Sequence, residues 1–564
     1  MNAIIVVVAV LVLYLLGYRF YARYLADKIF KLDPDAPVPS RTMEDGADYV
    51  PTNRYVLFGH HFASIAGAAP IVGPAIAVIW GWVPALLWVV LGAILMGCVH
   101  DFSALILSVR HKARSIGDLA GDIIGKKATT AYMIIMFFVV VLLTAIFLRL
   151  IAGLFGKYPE VVFPAIALIV IAVGIGLLIY RTKIGLGAAS VVGIILMLLS
   201  VWIGTNHPLS LPEQIAGQTP FFIWVVLLAI YGFVASVLPV WLLLQPRDYL
   251  ESFKLYAGLG LLFVGIIATG PKIVAPAIRP VVEGAPPIWP FLFVTIACGA
   301  LTGFHSIVAS GTTSKQLANE KDARFVGYGA MAGESFLALL VVIACTAGFT
   351  SRESWLAHYG TWGSAAGLWQ KVGAFVDGSA GFISTLGIPE SLGKTFMGLI
   401  IVAFALTTLD SACRLGRYIL AEFGQQHRIG ILKNGYVGSA IAAGIAFMLA
   451  VMPGVKEGQS VGQLLWPMFG TTNQLLAALV FATVTIYLVK RKTPHWFISI
   501  PLVLVAITTV SAMIWNIVKY VRTGNWILTV VGTIILLAGI VLIFLSCGTF
   551  MRVRSETKGH AGVV

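Results

Sequence analysis

The stretch GHHFASIAGAAPIVGP, residues 59–74, lies in an apolar segment that is long enough to cross a membrane. Gly67, Pro70, Gly73 and Pro74 fall inside it, where proline removes a helical hydrogen bond and glycine adds backbone freedom. The sequence therefore predicts a broken helix. In lipid, unpaired amides and carbonyls are tolerated only where protein or a water-filled cavity receives them, so the break is a candidate binding site. The alternative is a proline kink with close helix packing through small residues.

The composition of the whole chain indicates that this segment belongs to a membrane protein. The 564 residues are 59% hydrophobic and 11% charged, whereas soluble domains contain about 25% charged residues. Long continuous apolar runs disfavour a transmembrane β-barrel. The five cysteines are scattered, with no CxxC pair and no ligand spacing, so neither a disulfide framework nor a zinc site is indicated. We expect no cofactor other than a coupling ion.

Apolar runs that are bounded by charge, glycine or proline predict an all-α polytopic protein with about fifteen transmembrane helices. The predicted spans lie near 2–24, 60–81, 83–109, 128–154, 161–180, 184–204, 219–244, 255–271, 289–311, 326–350, 388–410, 435–452, 462–489, 496–518 and 525–548. The segment 351–387 remains ambiguous, because its apolar pieces fit a re-entrant or interfacial helix as well as a full span.

The basic residues report orientation in the bilayer. With the amino terminus outside, about 28 of the 38 Lys and Arg residues fall in inner loops. The net charge of +14 therefore indicates the lipid bilayer and no nucleic-acid partner. Seven tryptophans lie near predicted span ends, and most of them are expected to be interfacial anchors: Trp80, Trp82, Trp241, Trp289, Trp355, Trp362 and Trp466. The sequence is silent on oligomeric state.

A second interrupted span predicts an internal repeat. The seventh span contains Tyr231, Gly232, Ser236 and Pro239, and it lies five spans after the first interruption with the opposite predicted direction. This spacing matches a five-plus-five inverted repeat, in which discontinuous helices meet at the midplane. The predicted organisation is a first helix and cytoplasmic linker over 1–58, a transporter core over 59–410, and carboxyl-terminal helices with a short cytoplasmic tail over 411–564.

Candidate ligand-binding groups lie in the interrupted spans and in the ninth span, CGALTGFHSIVASGTTSKQ, residues 298–316. Half-helix amino termini and His305 would receive a carboxylate. The substrate-binding candidates are His61, Gly67, Ala68, Gly73, Tyr231, Gly232, Ser236 and His305. Ser310, Thr312 and Thr313 are candidate oxygen ligands of Na⁺, although such hydroxyls also bond back to the preceding helical turn.

Ionisable side chains inside spans are costly, so each needs a partner, a cavity or a proton. Asp101 and Glu334 are candidate proton carriers, because a carboxyl group in a partly dry site can load and release a proton near neutral pH. His60 is a third, because histidine changes charge between about pH 5 and 8. His60 and His61 are adjacent and point about 100° apart on a helix, so they do not form an i, i+4 metal pair.

Other polar residues at the membrane edge have the composition of inner gates. Arg247 with Asp248, and Asp322 with Arg324, are candidate ion pairs that break as the inner side opens. Asp101 has the alternative of pairing with Arg110.

For Asp410 we favour a pair with Arg414 at the interface. Asn473 and Gln474 belong either to a gate or to a polar contact that joins two helices.

Seven strings in order carry a family resemblance: GHHFASIAGAAPIVGPAIA, GCVHDFSALILSVRHKARSIGDLAG, LPVWLLLQPRDYL, CGALTGFHSIVASGTTSKQ, DARFVGYGAMAGES, LTTLDSACRLGRY and LWPMFGTTNQLLAAL. The chain closely resembles the carbon starvation protein CstA family and looks like a shorter member of it. That family is similar to the amino acid–polyamine–organocation transporters, which implies a LeuT-like core. Its members are implicated in uptake of peptides and of pyruvate during nutrient limitation in bacteria, with proton coupling inferred for the pyruvate carriers.

We therefore expect a secondary active transporter of the bacterial inner membrane. Its substrate would be a small carboxylate such as pyruvate, or a short peptide, and its coupling ion H⁺, with Na⁺ as the alternative. A membrane nutrient sensor that binds the same ligands is the second hypothesis, and a channel fits less well. The sequence contains no nucleophile–base or metal-ligand spacing, so we do not expect an enzyme.

Overall fold

In the computed structural model, which describes residues 1–46, 48–181, 186–239, 242–363, 368–452 and 461–559, every regular element is a helix. In chain order the helices are α1 (Ala3–Ile29), α2 (Arg54–Ile65), α3 (Ala69–Trp80), α4 (Trp82–Val109), α5 (Lys126–Lys157), α6 (Pro159–Leu178), α7 (Gly187–Asn206), α8 (Pro220–Val237), α9 (Pro246–Thr269), α10 (Ile288–Thr295), α11 (Phe304–Gly311), α12 (Arg324–Ala347), α13 (Leu368–Ser384), α14 (Glu390–Gln426), α15 (Gly435–Val451), α16 (Leu464–Lys490), α17 (Trp496–Arg522) and α18 (Trp526–Glu556). Short helices at Pro39–Thr42, Ile116–Ile123 and Arg352–Tyr359 lie between them.

Within the described ranges, twelve of these helices are long and apolar enough to cross a membrane, and the bent pair α2–α3 makes a thirteenth. The expected spans near 289–311 and 435–452 correspond to shorter helices, namely α10 with α11, and α15. Segment 351–387 forms Arg352–Tyr359 and α13, which has 17 residues, while residues 364–367 lie outside the described part.

Burial divides the helices into a centre and a lipid-facing shell. Helices α5, α12, α14 and α16 are largely buried inside the protein, and α16 is the most enclosed of them. Helices α1, α8 and α18 present most of their apolar surface outwards. Exposed leucine, isoleucine and valine side chains suit a hydrocarbon surrounding, where each helix satisfies its own backbone hydrogen bonds. The two long helices α5 and α14 pack against each other along much of their length.

The broken helix predicted at residues 59–74 is confirmed. The chain bends by 50° between α2 and α3, and Pro70 stands in the first turn of α3, a position where proline is tolerated because its missing N–H has no helical partner. A Cβ at Gly67 would collide with the hydroxyl of Thr408, and one at Gly73 would lie 2.6 Å from the carbonyl oxygen of Thr295. The break is thus packed tightly against α14 and α10.

The second break lies elsewhere than the sequence predicts. Helix α8 runs without interruption from Pro220 to Val237, so Tyr231, Gly232 and Ser236 are in a continuous helix and the expected break there is wrong. The reason is positional, because Pro239 follows the last helical turn and therefore ends the helix without breaking it.

The interrupted partner is the ninth predicted span, where α10 ends at Thr295 and α11 begins at Phe304. The intervening residues 296–303, which we call the unwound segment, include Gly299 with a φ of 89°, a backbone conformation that favours glycine. Gly303 lies against the backbone of α16, where a Cβ would be 2.6 Å from the amide nitrogen of Ala477.

We predict that Gly73→Ala destabilises the protein, because the added methyl group would press the broken helix away from α10. Overpacking of this kind costs about 1–3 kcal/mol, which thermal unfolding in detergent would report as a lower melting temperature. Gly174→Ala is the matched control, since a Cβ at that helical glycine meets no atom within 4 Å. An equal melting temperature for both variants would contradict the tight packing at Gly73.

Candidate functional site

A chain of buried acids and histidines lies beside the unwound segment. The Nδ1 atom of His305 is 2.6 Å from one carboxylate oxygen of Asp101, and Nδ1 of His100 is 2.9 Å from the other. On the far side of the same imidazole, Nε2 of His305 is 3.4 Å from Glu334. All four side chains are completely buried. We call these residues the acid–histidine chain, and it places one imidazole ring between two carboxylates.

The two carboxylates of this chain differ in how firmly they are held. Asp101 accepts a hydrogen bond on each oxygen, which fixes its charge and orientation. Neither oxygen of Glu334 has a conventional hydrogen-bond partner in the described structure. Glu334 shares a helical face with Ala338, whose Cβ is 2.6 Å from the position of a Cβ at Gly299. The less restrained carboxylate therefore faces the unwound segment, where a ligand or proton would arrive.

Neighbouring helices hold the open ends of α10 and α11. Asn473 of α16 accepts the amide hydrogen of Phe304 on its side-chain oxygen at 2.8 Å, and its amide nitrogen donates to Thr302 at 2.5 Å. Gln474 donates to the carbonyl oxygen of Phe293 at 2.7 Å. The sequence prediction that Asn473 and Gln474 join two helices describes only part of this contact, because both residues support the break itself.

Two tryptophans complete the support of the unwound segment. The indole nitrogen of Trp88 donates to the carbonyl oxygen of Ile296 at 3.0 Å, and that of Trp466 donates to Thr295 at 3.3 Å. Trp466 is buried and bonded to the break, so it is not one of the interfacial anchors expected among the tryptophans near span ends. In the sequence, Trp466 lies seven residues before the pair Asn473 and Gln474. No local rule connects this tryptophan with the carbonyl of residue 295, so its support of the unwound segment was not predicted.

A second buried polar group, which we call the arginine cluster, joins α8, α9 and α14. Arg247 forms an ion pair with Asp410, and the same guanidinium nitrogen donates to the hydroxyl of Tyr231 at 2.6 Å. Tyr231 in turn donates to Asp410 at 2.8 Å. Arg247 and Asp410 are almost completely buried. The expected pair of Asp410 with Arg414 is wrong, because Arg414 donates to backbone carbonyls of α8 and its end, at Ala235 and Leu238.

Further charged residues surround the arginine cluster along α9. Asp248 lies 3.6 Å from Nδ1 of His60 on α2, and Glu251 lies 2.6 Å from Nζ of Lys254, with both side chains buried. Arg247 therefore does not pair with Asp248 as the predicted gate requires. The Asp248–His60 contact instead connects α9 to the inner half of the first broken helix.

The second predicted gate pair is also placed differently. Arg324 stacks over the ring of Tyr18, with 5.3 Å between the guanidinium carbon and the ring centre. Asp322 faces Arg54, and partial burial raises the pKa of Asp322 above its usual value. Likewise Arg110, the alternative partner of Asp101, pairs with Glu320 at 2.6 Å. Asp101 is thus committed to histidines.

The remaining site candidates lie close to one or other of these groups. His61 is completely buried and its Nδ1 is 2.8 Å from the hydroxyl of Thr313. Ser310 and Thr312 donate to carbonyl oxygens one turn earlier, at Ser306 and Val308. Gly67, with Ala68 beside it, faces Thr408. A Cβ at Gly232 would lie 3.1 Å from the sulfur of Cys413. The hydroxyl of Ser236 donates to the carbonyl oxygen of Phe233 at 2.7 Å. Among the described residues, no group of three His, Cys, Asp or Glu side chains is placed to hold a metal ion.

We predict that Asn473→Ala lowers both thermal stability and function, because it leaves the amide of Phe304 without a partner and removes the donor to the hydroxyl of Thr302. Each buried polar group left unpaired costs roughly 1–3 kcal/mol. The matched control is Asn516→Ala, since Asn516 donates to Thr471 at 3.2 Å and touches neither helix break. Melting temperature and ligand binding of both variants check this. Retained binding in Asn473→Ala, with loss only in Asn516→Ala, would contradict the assignment.

Comparison with known proteins places this arrangement in a family. The family model described as "Carbon starvation protein CstA" matches residues 2–356 and 363–512. The pyruvate/proton symporter BtsT of Escherichia coli is 34% identical, over 91% of this chain and 81% of its own length. The peptide transporters CstA of Campylobacter jejuni and Bacillus subtilis are 32% and 33% identical, over 93% and 92% of this chain and 81% and 91% of their own lengths. With agreement of this extent, the chain belongs to the carbon starvation protein CstA family.

Proposed function

We propose that this protein is a secondary active transporter of the bacterial inner membrane that takes up pyruvate or short peptides together with protons. The observation that carries the proposal is the pair of broken helices, which meet buried ionisable groups in a family whose curated relatives are named as transporters. Discontinuous helices of this kind form the substrate and ion sites of many secondary transporters. The completely buried acids and histidines favour an occluded site over a continuous pore.

We infer a LeuT-like inverted repeat with an insertion. Each proposed half begins with a broken helix, and the third helices of the two halves, α5 and α14, are the long packed pair. The fourth helices, α8 and α15, also pack together. The proposed halves are α2–α3, α4, α5, α8 and α9, followed by α10–α11, α12, α14, α15 and α16. The hairpin α6–α7 separates the third and fourth helices of the first half. These two additional spans account for a spacing of seven spans, and not five, between the two broken helices.

The acid–histidine chain is the best-supported carrier of the coupling proton. Asp101 is held by two histidines, while Glu334 has unpaired oxygens beside the unwound segment. Protonation of Glu334 would release its attraction for His305 and so weaken the contact between α12 and α11. His60, which faces Asp248, is a second candidate at the inner half of the first broken helix.

Sodium coupling is the alternative, with the hydroxyl groups of Ser310 in α11 and of Thr312 and Thr313 just after it as candidate ligands. Ser310 and Thr312 donate to carbonyls of the preceding turn, and Thr313 is bonded to His61. These hydrogen bonds occupy the groups in the manner typical of helical serine and threonine, which favours protons over Na⁺.

We predict that reconstituted protein exchanges labelled pyruvate or a labelled dipeptide across vesicles, and that an inward proton gradient drives accumulation. A sodium gradient of the same size is the control for the ion. Binding without counterflow would support a nutrient sensor, and flux that neither saturates nor couples would support a channel. Either result contradicts the proposed transporter.

We predict that Glu334→Gln and Asp101→Asn abolish gradient-driven accumulation and retain counterflow exchange, because each removes a titratable group but keeps its size. Arg114 pairs with the exposed Asp122 outside the broken helices, so Asp122→Asn is the matched control and should accumulate normally. Accumulation by both buried-acid variants at the level of the unmodified protein would show that the coupling proton is carried elsewhere.

A further inference from the structure

The two buried groups differ in the charge that they offer to an anion. Asp101 and Glu334 bring two carboxylates to the acid–histidine chain, and His305 between them is bonded to one and 3.4 Å from the other. A substrate carboxylate at His305 would therefore meet two like charges in a buried setting, where repulsion is poorly screened. This arrangement disfavours His305 as the residue that binds the carboxylate.

The arginine cluster and its surroundings have balanced charges, without the excess of carboxylates found in the acid–histidine chain. Around its residues Arg247, Asp410 and Tyr231 lie the cations Lys254 and Arg414, the carboxylates Asp248 and Glu251, and His60. Arg247 is the cation at the junction of α8, α9 and α14. A guanidinium has a planar fork of donors that matches a carboxylate in bidentate geometry.

Arg247 is only partly used by its internal partner. One terminal nitrogen serves both Asp410 and Tyr231, while the other makes a long 3.4 Å contact with the carbonyl oxygen of Ala403. Its Nε atom has no hydrogen-bond partner in the described structure, and neither has one oxygen of Asp410. Buried polar atoms are nearly always paired, so these two atoms are available to a further partner. A carboxylate that approached Nε and the second terminal nitrogen would complete the fork.

A residue beside the arginine cluster also contacts the first broken helix, since Asp248, which follows Arg247 on α9, lies 3.6 Å from Nδ1 of His60 on α2. Thr408 precedes Asp410 by two residues on α14, so the two side chains point to opposite sides of that helix, and a Cβ at Gly67 would collide with the side chain of Thr408. The hydroxyl of Thr408 is buried and has no hydrogen-bond partner in the described residues. The first broken helix is therefore next to the arginine cluster at His60 on α2, while the break itself contacts the other side of α14.

We propose that Arg247 is the residue that binds the carboxylate of the transported anion, and that Asp410 is an internal carboxylate which the substrate displaces. This inference rests on the proposed function and names its substrate class as molecules with a free carboxylate. Exchange of one carboxylate for another keeps Arg247 neutralised throughout, which avoids the cost of a buried unpaired cation. The displaced Asp410 remains four residues before Arg414 on the same helix.

The alternative is a purely structural ion pair that fastens α9 to α14. The two roles predict different effects of weakening the pair. If Asp410 competes with the substrate, loss of its hold raises affinity for carboxylates. If the pair only fastens two helices, the same loss lowers stability and binding together.

The test measures counterflow of labelled pyruvate by the full-length protein in vesicles, with unlabelled pyruvate and the neutral analogue pyruvamide as competitors. Labelled alanyl-alanine with its carboxyl-terminal amide forms a parallel pair of probes. The unmodified protein should be inhibited by the acid and not by the amide. Arg247→Gln should lose at least about tenfold in affinity for the acid and lose the discrimination between acid and amide, whereas Arg247→Lys should retain part of both.

Two variants weaken the internal competitor. Tyr231→Phe removes the hydroxyl that bridges Arg247 and Asp410, and Asp410→Asn removes the competing charge. Both should tighten binding of the acid, by roughly tenfold in Asp410→Asn if the competent state is about a tenth of the population. Tyr231→Phe keeps the ion pair, so it remains informative if Asp410→Asn fails to fold. Asp377→Asn, at an exposed carboxyl on α13 that is 3.8 Å from Lys394, is the matched control.

Unchanged acid affinity and discrimination in Arg247→Gln would overturn the proposal, and so would weaker acid binding with a lower melting temperature in Tyr231→Phe. Both results require that the unmodified protein carries out counterflow. Absence of counterflow by the unmodified protein with every probe would instead refute the proposed transporter, so the two failures are distinguishable.

Discussion

A helix that ends inside a membrane leaves carbonyl and amide groups that lipid cannot hydrogen-bond, and the rest of this structure depends on how those groups are satisfied. At the unwound segment the protein supplies the partners itself. Trp88, Trp466 and Gln474 donate to the carbonyls at the end of α10, and Asn473 accepts the first amide of α11. Because α4 and α16 provide these groups, both helices must lie against the break, which explains why α16 is so deeply enclosed.

These supporting side chains make the centre of the protein polar. The charged residues at the centre form two groups that differ in their balance of positive and negative charge. The acid–histidine chain on α4, α11 and α12 carries an excess of carboxylates, which suits a proton. The arginine cluster on α8, α9 and α14 pairs its charges and contains an incompletely bonded guanidinium, which suits an anion. Helix α2 contacts Thr313, just after α11, through His61, and Asp248, next to Arg247, through His60, so movement of this half-helix can alter both surroundings together.

Sequence reasoning predicted the features that depend on local chemistry. Glycine and proline within an apolar run identified the break at residues 59–74, and the apolar runs located the membrane-crossing helices. The same reasoning misplaced the second break, because Pro239 looks alike in sequence whether a helix continues past it or ends before it. The break in the ninth span depends on Gly299 and on close packing of Gly303 against α16, and contact with a helix more than 150 residues later leaves no local pattern.

Charged partners show the same limit more sharply. Arg414 follows Asp410 by four residues, a spacing that favours pairing on an isolated helix. In the folded protein Arg414 donates to carbonyls at the end of α8. These carbonyls have no partner within the helix because it stops at Val237. Asp410 is then left to Arg247, which the packing of α9 against α14 brings to it from 163 residues away. The partner of Asp410 is thus determined by where α8 ends. Because the carbonyls at that end bind Arg414, Asp410 is available to the buried guanidinium of Arg247.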